Sequence, residues 1–152
     1  MYVLDTDVFS VTSPTSGFTS TAADAWRLWV ERNENGLYLS AVTIFEVRFG
    51  IEKCLAKGAT KQAERLQRWL TAAETTHRGR IIPVTIEIAH KAGELLYGAV
   101  AAGISPSSED AIVAATAYVK GFQVLSKNTK HMYALQVSWL DPIEAIPPDV
   151  IP

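Results

Sequence analysis

The stretch SSEDAIVAATAYVKGFQVLSKN (residues 107–128) contains a helix, a helix stop and a strand in immediate succession. The alanine-rich segment is predicted to be helical to about Lys120, and Gly121 is a natural end for that helix. FQVLS (residues 122–126) then has the apolar run of a buried strand. Small residues on a helix allow close packing against a sheet, so this stretch is typical of an α/β domain.

The same alternation of strands and helices extends outward from this stretch over the chain. Short strands are predicted at residues 2–5, 37–40, 80–85, 122–126 and 136–140. Apolar residues at helical spacing predict helices at residues 21–35, 43–57, 60–74, 86–102 and 105–120. This order predicts an α/β fold around a mainly parallel sheet, ending in an extended tail over residues 140–152.

Length and composition are those of an ordinary folded domain. The chain has 152 residues, 48% hydrophobic and 20% charged, so we expect a single domain over residues 1–152 with a substantial core. No apolar run is long enough to cross a membrane, and no signal peptide precedes the first strand. A single cysteine, Cys54, cannot form an internal disulfide, which suggests the reducing cytoplasm. The net charge of −2 argues against a broad polyanion-coating surface without excluding nucleic acid.

Two acids separated by one residue follow the first predicted strand, in LDTDVFS (residues 4–10). Alternate residues of a strand point to the same side, so Asp5 and Asp7 would place like charges together. A structural explanation is that Asp5 or Thr6 caps a short helix, although one acid would be enough for that. In parallel sheets, ligand sites lie beyond the carboxyl ends of the strands, where these two acids are expected.

Three further polar residues are predicted at the same edge of the sheet. Glu46 follows a strand in SAVTIFEVRFGIEK (residues 40–53), where Thr43 and Glu46 also match a helix capping box. Asp110 opens the alanine-rich helix, where Ser107-x-x-Asp110 matches a shortened capping box. Asn128 follows the strand FQVLS, where a polar turn would explain it equally well.

Together these residues form a predicted cluster of acids that repel one another. A hard divalent cation would neutralise them, and a set of oxygen ligands without supporting cysteine or histidine favours Mg²⁺ or Mn²⁺ over zinc. Such an ion commonly engages substrate phosphate and can polarise a phosphoryl oxygen.

Three segments, LDTDVFS, SAVTIFEVRFGIEK and SSEDAIVAATAYVKGFQVLSKNTKHM, resemble the PIN-domain ribonucleases over about residues 2–140. The resemblance is strongest to the toxins of bacterial VapBC-type toxin–antitoxin pairs, including FitB-like members. It implies a three-layer α/β/α fold and a Mg²⁺- or Mn²⁺-dependent endoribonuclease that leaves 5′-phosphate and 3′-hydroxyl ends. It also implies an antitoxin partner, a homodimer, and binding to DNA only through the antitoxin.

Under this resemblance, Asp5, Glu46 and Asp110 match the three acids of the family's site. Asn128 falls at the fourth position, where members carry Asp or Asn. Asp5 and Asp110 are expected to hold the principal metal, and Glu46 to bind it or orient its water. Asp7 stands where the family usually has a neutral residue, so it adds charge and is a further candidate ligand.

His131 departs from the family in replacing an acid that many members carry, so a second metal would be held less firmly there. The candidate substrate contacts are Arg48, Lys127 and His131, with an ion pair to a surface acid as the alternative for Arg48. Small hydroxyl residues match positions that hydrogen-bond the carboxylates or the metal's waters, namely Thr6, Thr43 and Ser126.

Two other functions are compatible with the same residues. Asp-x-Asp after a strand also resembles the haloacid-dehalogenase phosphatases, in which Asp5 would be the nucleophile and Asp7 the general acid. That family expects a later lysine, for which Lys127 is a candidate, and an acid pair after a strand, which the sequence lacks. The other alternative is a weakly active PIN-fold binding module that acts through a partner protein.

Overall fold

A computed structural model describes residues 1–150 of the chain. In this range no helix has the length and apolar character needed to span a bilayer. The strands are β1 Tyr2–Leu4, β2 Leu37–Ser40, β3 Ile81–Ile82, β4 Gln123–Leu125 and β5 Trp139–Leu140. The helices are α1 Thr6–Ser10, α2 Thr21–Asn33, α3 Ala41–Ala56, α4 Thr60–Thr76, α5 Ile86–Ala101, α6 Ser108–Lys120 and α7 Thr129–Ala134.

The five strands form one sheet in the order β3-β2-β1-β4-β5, and every neighbouring pair is parallel. Leu4 at the end of β1 lies opposite Leu39 of β2 and Leu125 of β4. All carboxyl ends therefore meet at one edge, and the residues that follow these strands form its rim. The prediction of an α/β fold around a parallel sheet is confirmed.

The central strand of the sheet, β1, is buried on both sides because helices cover both faces of the sheet. Val3 and Leu4 are both fully buried and point to opposite faces. Leu4 packs in the core that contains Trp26 and Trp29 of α2, and Val3 packs in the core built largely from α5 and α6. This is the three-layer α/β/α arrangement that the sequence resemblance implied.

The alanine-rich helix α6 packs closely on the sheet, as its composition predicts. Its small residues let the helix backbone approach the strands, and Gly121 ends the helix with a φ of 68°. The buried side chains of α6 are Ala111, Val113, Ala114, Ala115, Thr116 and Ala117.

Several predicted boundaries are wrong. The strand predicted at residues 80–85 is reduced to β3, and the strand predicted at residues 136–140 is reduced to β5. Gln136 has a φ of 54°, which interrupts an extended strand directly after α7. Helix α7 was not predicted, because six residues are too few to show a helical period.

The tail beyond β5 has no regular secondary structure up to residue 150, and it packs against the end of α2. The Asn33 Nδ2 group donates to Asp149 Oδ1 at 2.8 Å, and the main-chain N–H of Val150 donates to Asn33 Oδ1 at 2.6 Å. Gly36 faces Val150 so closely that an added Cβ would lie 2.4 Å from its methyl carbons. Of the predicted tail, Leu140 belongs to β5, and residues 151–152 lie outside the described part of the chain.

Candidate active site

Asp5 lies between β1 and α1, and each of its two carboxylate oxygens accepts a hydrogen bond. Its Oδ1 accepts the main-chain N–H of Thr6 at 2.8 Å, and its Oδ2 accepts the Ser126 hydroxyl at 2.7 Å. The residue is only 5% exposed. Asp5 therefore caps α1, as the structural alternative proposed, and also faces the rim of the sheet.

Asp7, in the first turn of α1, has a buried oxygen without a partner. Its Oδ2 accepts the main-chain N–H of Lys127 at 2.9 Å, whereas its Oδ1 has no hydrogen bond. Burial, and then the charge of Asp5, raise the pKa of Asp7 to about 7, although the Lys127 cation lowers it. A buried carboxylate oxygen without a donor is costly, so a cation would satisfy this atom.

Glu46 lies in α3 and reaches across to α1, where its Oε1 accepts the Thr6 hydroxyl at 2.5 Å. The capping box predicted for Thr43 and Glu46 is wrong, because α3 begins earlier and Ser40 caps it. Thr43 is fully buried and its hydroxyl has no partner in the described residues. Burial raises the pKa of Glu46, and the charges of Asp5, Glu109 and Asp110 add to this effect. Glu46 therefore does not cap α3, and its carboxylate instead lies beside Thr6 at the rim.

Asp110 serves both the helix and the site. It forms the predicted capping box of α6: its N–H donates to Ser107 Oγ at 3.0 Å, and its Oδ2 accepts the N–H of Ser107 at 3.1 Å. The same Oδ2 lies 2.8 Å from His131 Nδ1. Capping and a site role are therefore compatible for this carboxylate.

His131 lies between two residues that the sequence resemblance placed in the site. Its Nδ1 is 2.8 Å from Asp110 Oδ2 and also 2.8 Å from Asn128 Nδ2. A ring nitrogen carries either a proton or a lone pair, so it can satisfy only one of these neighbours at a time. Asn128 is further tied to the site because its main-chain N–H donates to Ser126 Oγ at 2.9 Å.

We call Asp5, Asp7, Glu46 and Asp110 the acidic cluster. Burial is the main cause that raises the pKa of Asp5, and the charge of Asp110 raises it further, whereas Ser126, Thr6 and His131 lower it. The charge of one member therefore raises the pKa of another, although the four residues lie at α1, α3 and α6. Main-chain N–H groups and hydroxyls hydrogen-bond several of these carboxylates, and such donors carry no charge that would balance theirs.

The donor chemistry of the acidic cluster fits a hard cation, although its side chains are not closed into a complete ligand set. In residues 1–150, no three His, Cys, Asp or Glu side chains converge closely enough to hold a metal ion as they are placed. The carboxylates of the acidic cluster instead contact hydroxyl, main-chain amide and imidazole groups. Carboxylate oxygens are the ligands that Mg²⁺ and Mn²⁺ prefer, and the unpartnered Oδ1 of Asp7 is one such oxygen.

Arg48 differs from the other candidate substrate contacts because it turns toward α4. Its guanidinium forms an ion pair with Glu52 at 2.6 Å and also contacts Gln67. The alternative use of Arg48, pairing with a surface acid, is what the structure shows. Lys127 remains beside Asp7, and His131 beside Asp110.

A cleft of about 400 Å³, which we call the Phe18 cleft, opens beside the acidic cluster. Asp7 and Glu46 line one side of it, and the loop between α1 and α2 lines another. The Lys127 ammonium lies 4.6 Å from the centroid of the Phe18 ring. Sequence reasoning missed Phe18, since a single aromatic residue in a polar loop carries no periodic signal.

The chain matches the family model described as the PIN domain over residues 2–136. It is 30% identical over 146 residues to the VapC ribonuclease Y4jK of Sinorhizobium fredii, covering 95% of this chain and 99% of the relative.

Solved structures also resemble the fold over most of its length. FitAcB from Neisseria gonorrhoeae superposes with a TM-score of 0.77 at 27% identity, covering 93% of this chain and 98% of the other. A second structure, FitAB bound to an IR36 DNA fragment, gives a TM-score of 0.74 at 25% identity, covering 94% and 96% of the two chains.

Proposed function

The chain belongs to the PIN-domain family, and on this premise we propose that it is a Mg²⁺- or Mn²⁺-dependent endoribonuclease. The observation that carries the proposal is the acidic cluster, in which a buried Asp7 oxygen has no partner and the carboxylates raise one another's pKa. A divalent ion resolves both features, and phosphodiester hydrolysis is the chemistry that such an ion supports at a carboxylate site.

Asp5 and Asp110 would hold the principal metal, with Asp7, Glu46 and Asn128 completing the site. When bound, the ion would polarise a phosphoryl oxygen and lower the pKa of water. Such work requires carboxylates fixed in position, and hydroxyl groups provide this. Ser126 holds the Oδ2 atom of Asp5, and Thr6 holds the Oε1 atom of Glu46.

Glu46 is suited to accept a proton from the attacking water. Its half-buried position raises its pKa toward the working pH, which improves a carboxylate as a general base. Its second oxygen, Oε2, has no hydrogen bond to compete with that role among the described residues. In-line attack of the water on phosphorus, with the P–O3′ bond breaking and the 3′-oxygen leaving to become a hydroxyl, would give 5′-phosphate and 3′-hydroxyl ends.

The test is cleavage of a structured RNA by the purified chain with Mg²⁺ or Mn²⁺. Asp110→Asn should abolish most of the cleavage, since asparagine has the same shape without the charge. Glu31→Gln removes one charge from an exposed position on α2 and should cleave normally. Equal activity of the wild type and Asp110→Asn, or activity that survives a chelator, would overturn the proposal.

We further propose that the chain is the toxin of a VapBC-type pair and acts in the cytoplasm as a single domain over residues 1–152. A relative carries the name VapC, and the neighbouring FitAB structure includes a DNA fragment. An antitoxin would then be its partner, DNA would be bound through that antitoxin, and the toxin would be a homodimer. Expression of the wild type, but not of Asp110→Asn, should arrest growth, and co-expression of the antitoxin encoded beside it should restore growth.

A weakly active binding module is the second candidate, favoured by the incomplete convergence of ligands in the acidic cluster. It predicts that the wild type and Asp110→Asn bind the same partner and that the wild type cleaves RNA little better than Asp110→Asn. The phosphatase alternative loses its basis, because the family match is to the PIN domain over most of the chain.

A further inference from the structure

We propose that the Phe18 cleft binds the base of the nucleotide next to the scissile phosphate. Phe18 would stack on this base, and Lys127 would contact the phosphate between it and the acidic cluster. The inference rests on the proposed ribonuclease function and adds a substrate-positioning site to it.

The position of the cleft supports this assignment. Asp7 and Glu46 belong to the acidic cluster and also line the cleft, so a nucleotide whose phosphate lies at the cluster would have its base next to the cleft. Its volume of about 400 Å³ is within the range of small-ligand sites. Four hydroxyl side chains offer donors and acceptors for the edge of a base: Ser10, Ser13, Thr15 and Ser16.

One cation in the cleft offers a contact for a phosphate, whereas the two acids of its lining, Asp7 and Glu46, belong to the acidic cluster, where the divalent ion of the proposed function would lie. Lys127 is the single basic residue among the described residues that line the cleft. Its main-chain N–H donates to Asp7 Oδ2 and its ammonium lies over the Phe18 ring, so Lys127 contacts both the acidic cluster and the aromatic ring. A phosphate there would meet a positive charge within reach of a stacking surface.

The main chain of Phe18 is held by hydrogen bonds, and its side chain is partly exposed. Phe18 is 38% exposed, and its carbonyl oxygen accepts the Arg27 guanidinium at 2.8 Å. Its main-chain N–H donates to Ser16 Oγ at 3.2 Å, and Arg27 also donates to the Val11 carbonyl at 3.0 Å. An aromatic ring on an ordered backbone loses little freedom when a base stacks on it.

Gly50 in α3 leaves the opposite wall of the cleft open. A Cβ added to Gly50 would meet no atom within 4 Å. Gly50→Leu would therefore place a larger side chain in the cleft while the Phe18 residue itself is unchanged, and it replaces a poor helix former with a good one. This variant tests whether RNA binding needs the space in the cleft, because it leaves the Phe18 ring in place.

The experiment measures the affinity of a short single-stranded RNA by fluorescence anisotropy, in an Asp110→Asn background that prevents cleavage. An abasic nucleotide is moved along the RNA, one position at a time. One position should weaken binding about 5- to 150-fold when Phe18 is present, as loss of one stacked base predicts. In Phe18→Ala this penalty should disappear, and Phe18→Tyr should restore it.

Gly50→Leu should reproduce the loss seen in Phe18→Ala. The matched control, Tyr97→Ala, removes an aromatic residue that is 75% exposed on α5 and does not line the cleft, and it should bind RNA normally. Equal abasic penalties in the Phe18 and Phe18→Ala proteins would overturn the proposal, as would absence of RNA binding. If Phe18→Ala binds a partner protein more weakly but binds RNA with unchanged affinity, the cleft binds a peptide, and this result would also overturn the proposal.

The readout distinguishes this inference from the proposed function. Cleavage by the wild type tests the ribonuclease assignment, and the abasic series tests only where a base lies. A protein that cleaves RNA but shows no position-specific penalty keeps the first conclusion and loses the second.

Discussion

Asp7→Asn tests the charge balance of the acidic cluster directly. The substitution keeps the shape of the side chain and the acceptor for the Lys127 N–H, but it removes the charge. The pKa of about 7 for Asp7, against 3.8 for an unperturbed aspartate, corresponds to about 4 kcal/mol of destabilisation when the residue is fully ionised. The new amide leaves an N–H₂ without an acceptor, so we expect a net gain of about 1–3 kcal/mol in metal-free protein.

The sign of the pH dependence follows from the raised pKa of Asp7. Protonation of Asp7 favours the folded state, so its contribution is fully present below pH 3.8 and is lost as the pH rises through about 7. The gain from Asp7→Asn should therefore be greatest above pH 7 and vanish in acid. Each kcal/mol should raise the Tm by about 2–4 °C for a chain of this size.

The assay is thermal unfolding with a chelator and then with excess Mg²⁺ or Mn²⁺. The metal should stabilise the wild type more than Asp7→Asn, because a ligand stabilises the folded state that binds it. Glu31→Gln, which removes an exposed charge, should change neither measurement. A less stable Asp7→Asn protein without metal, together with equal stabilisation of both proteins by metal, would refute this reasoning.

Three further predictions follow from neighbouring contacts. Ser126→Ala removes the hydroxyl that holds Asp5 Oδ2 and should weaken Mn²⁺ binding about 10- to 100-fold in calorimetry; unchanged affinity would exclude a positioning role. His131→Asp adds a carboxylate beside Asp110 and should tighten Mn²⁺ binding, whereas weaker binding would show that the imidazole itself is needed. Burial, and then the charge of Arg80, lower the pKa of His77 below 6.5 in the folded protein. As the pH falls, His77 is therefore protonated in the unfolded chain before it is protonated in the folded protein. The contribution of neutral His77 to stability is consequently lost as the pH falls through 6.5. In urea unfolding at several pH values, His77→Gln should reduce the loss of stability below pH 6.5, and an unchanged loss would contradict this prediction.

The fold was predictable because its pattern is repetitive along the chain. Buried strands separated by amphipathic helices predict a parallel sheet, and Gly121 ended α6 where the sequence indicated. Elements with little periodicity were missed or misplaced. Helix α7 has six residues, and the start of α3 is set by Ser40 rather than by the capping box expected at Thr43.

The acids of the site were predictable from their position at strand ends, but their hydrogen bonds were not. The rule that parallel strands end at one edge was enough to predict where Asp5 and Glu46 lie, whereas the strand alternation expected for Asp5 and Asp7 is wrong, because Asp7 lies in α1. The link from Thr6 to Glu46 joins residues 40 positions apart, so no local pattern encodes it. Phe18 was missed for a related reason, because its partner Lys127 lies far along the chain.

The central claim is that the acidic cluster shares a divalent ion. The most direct measurement is a crystal structure with Mn²⁺, in which anomalous scattering locates the ion. We expect a strong peak within coordination distance of Asp5 and Asp110, with the free oxygen of Asp7 turned toward it. A well-ordered crystal that shows no peak among these carboxylates at saturating Mn²⁺ would contradict the account.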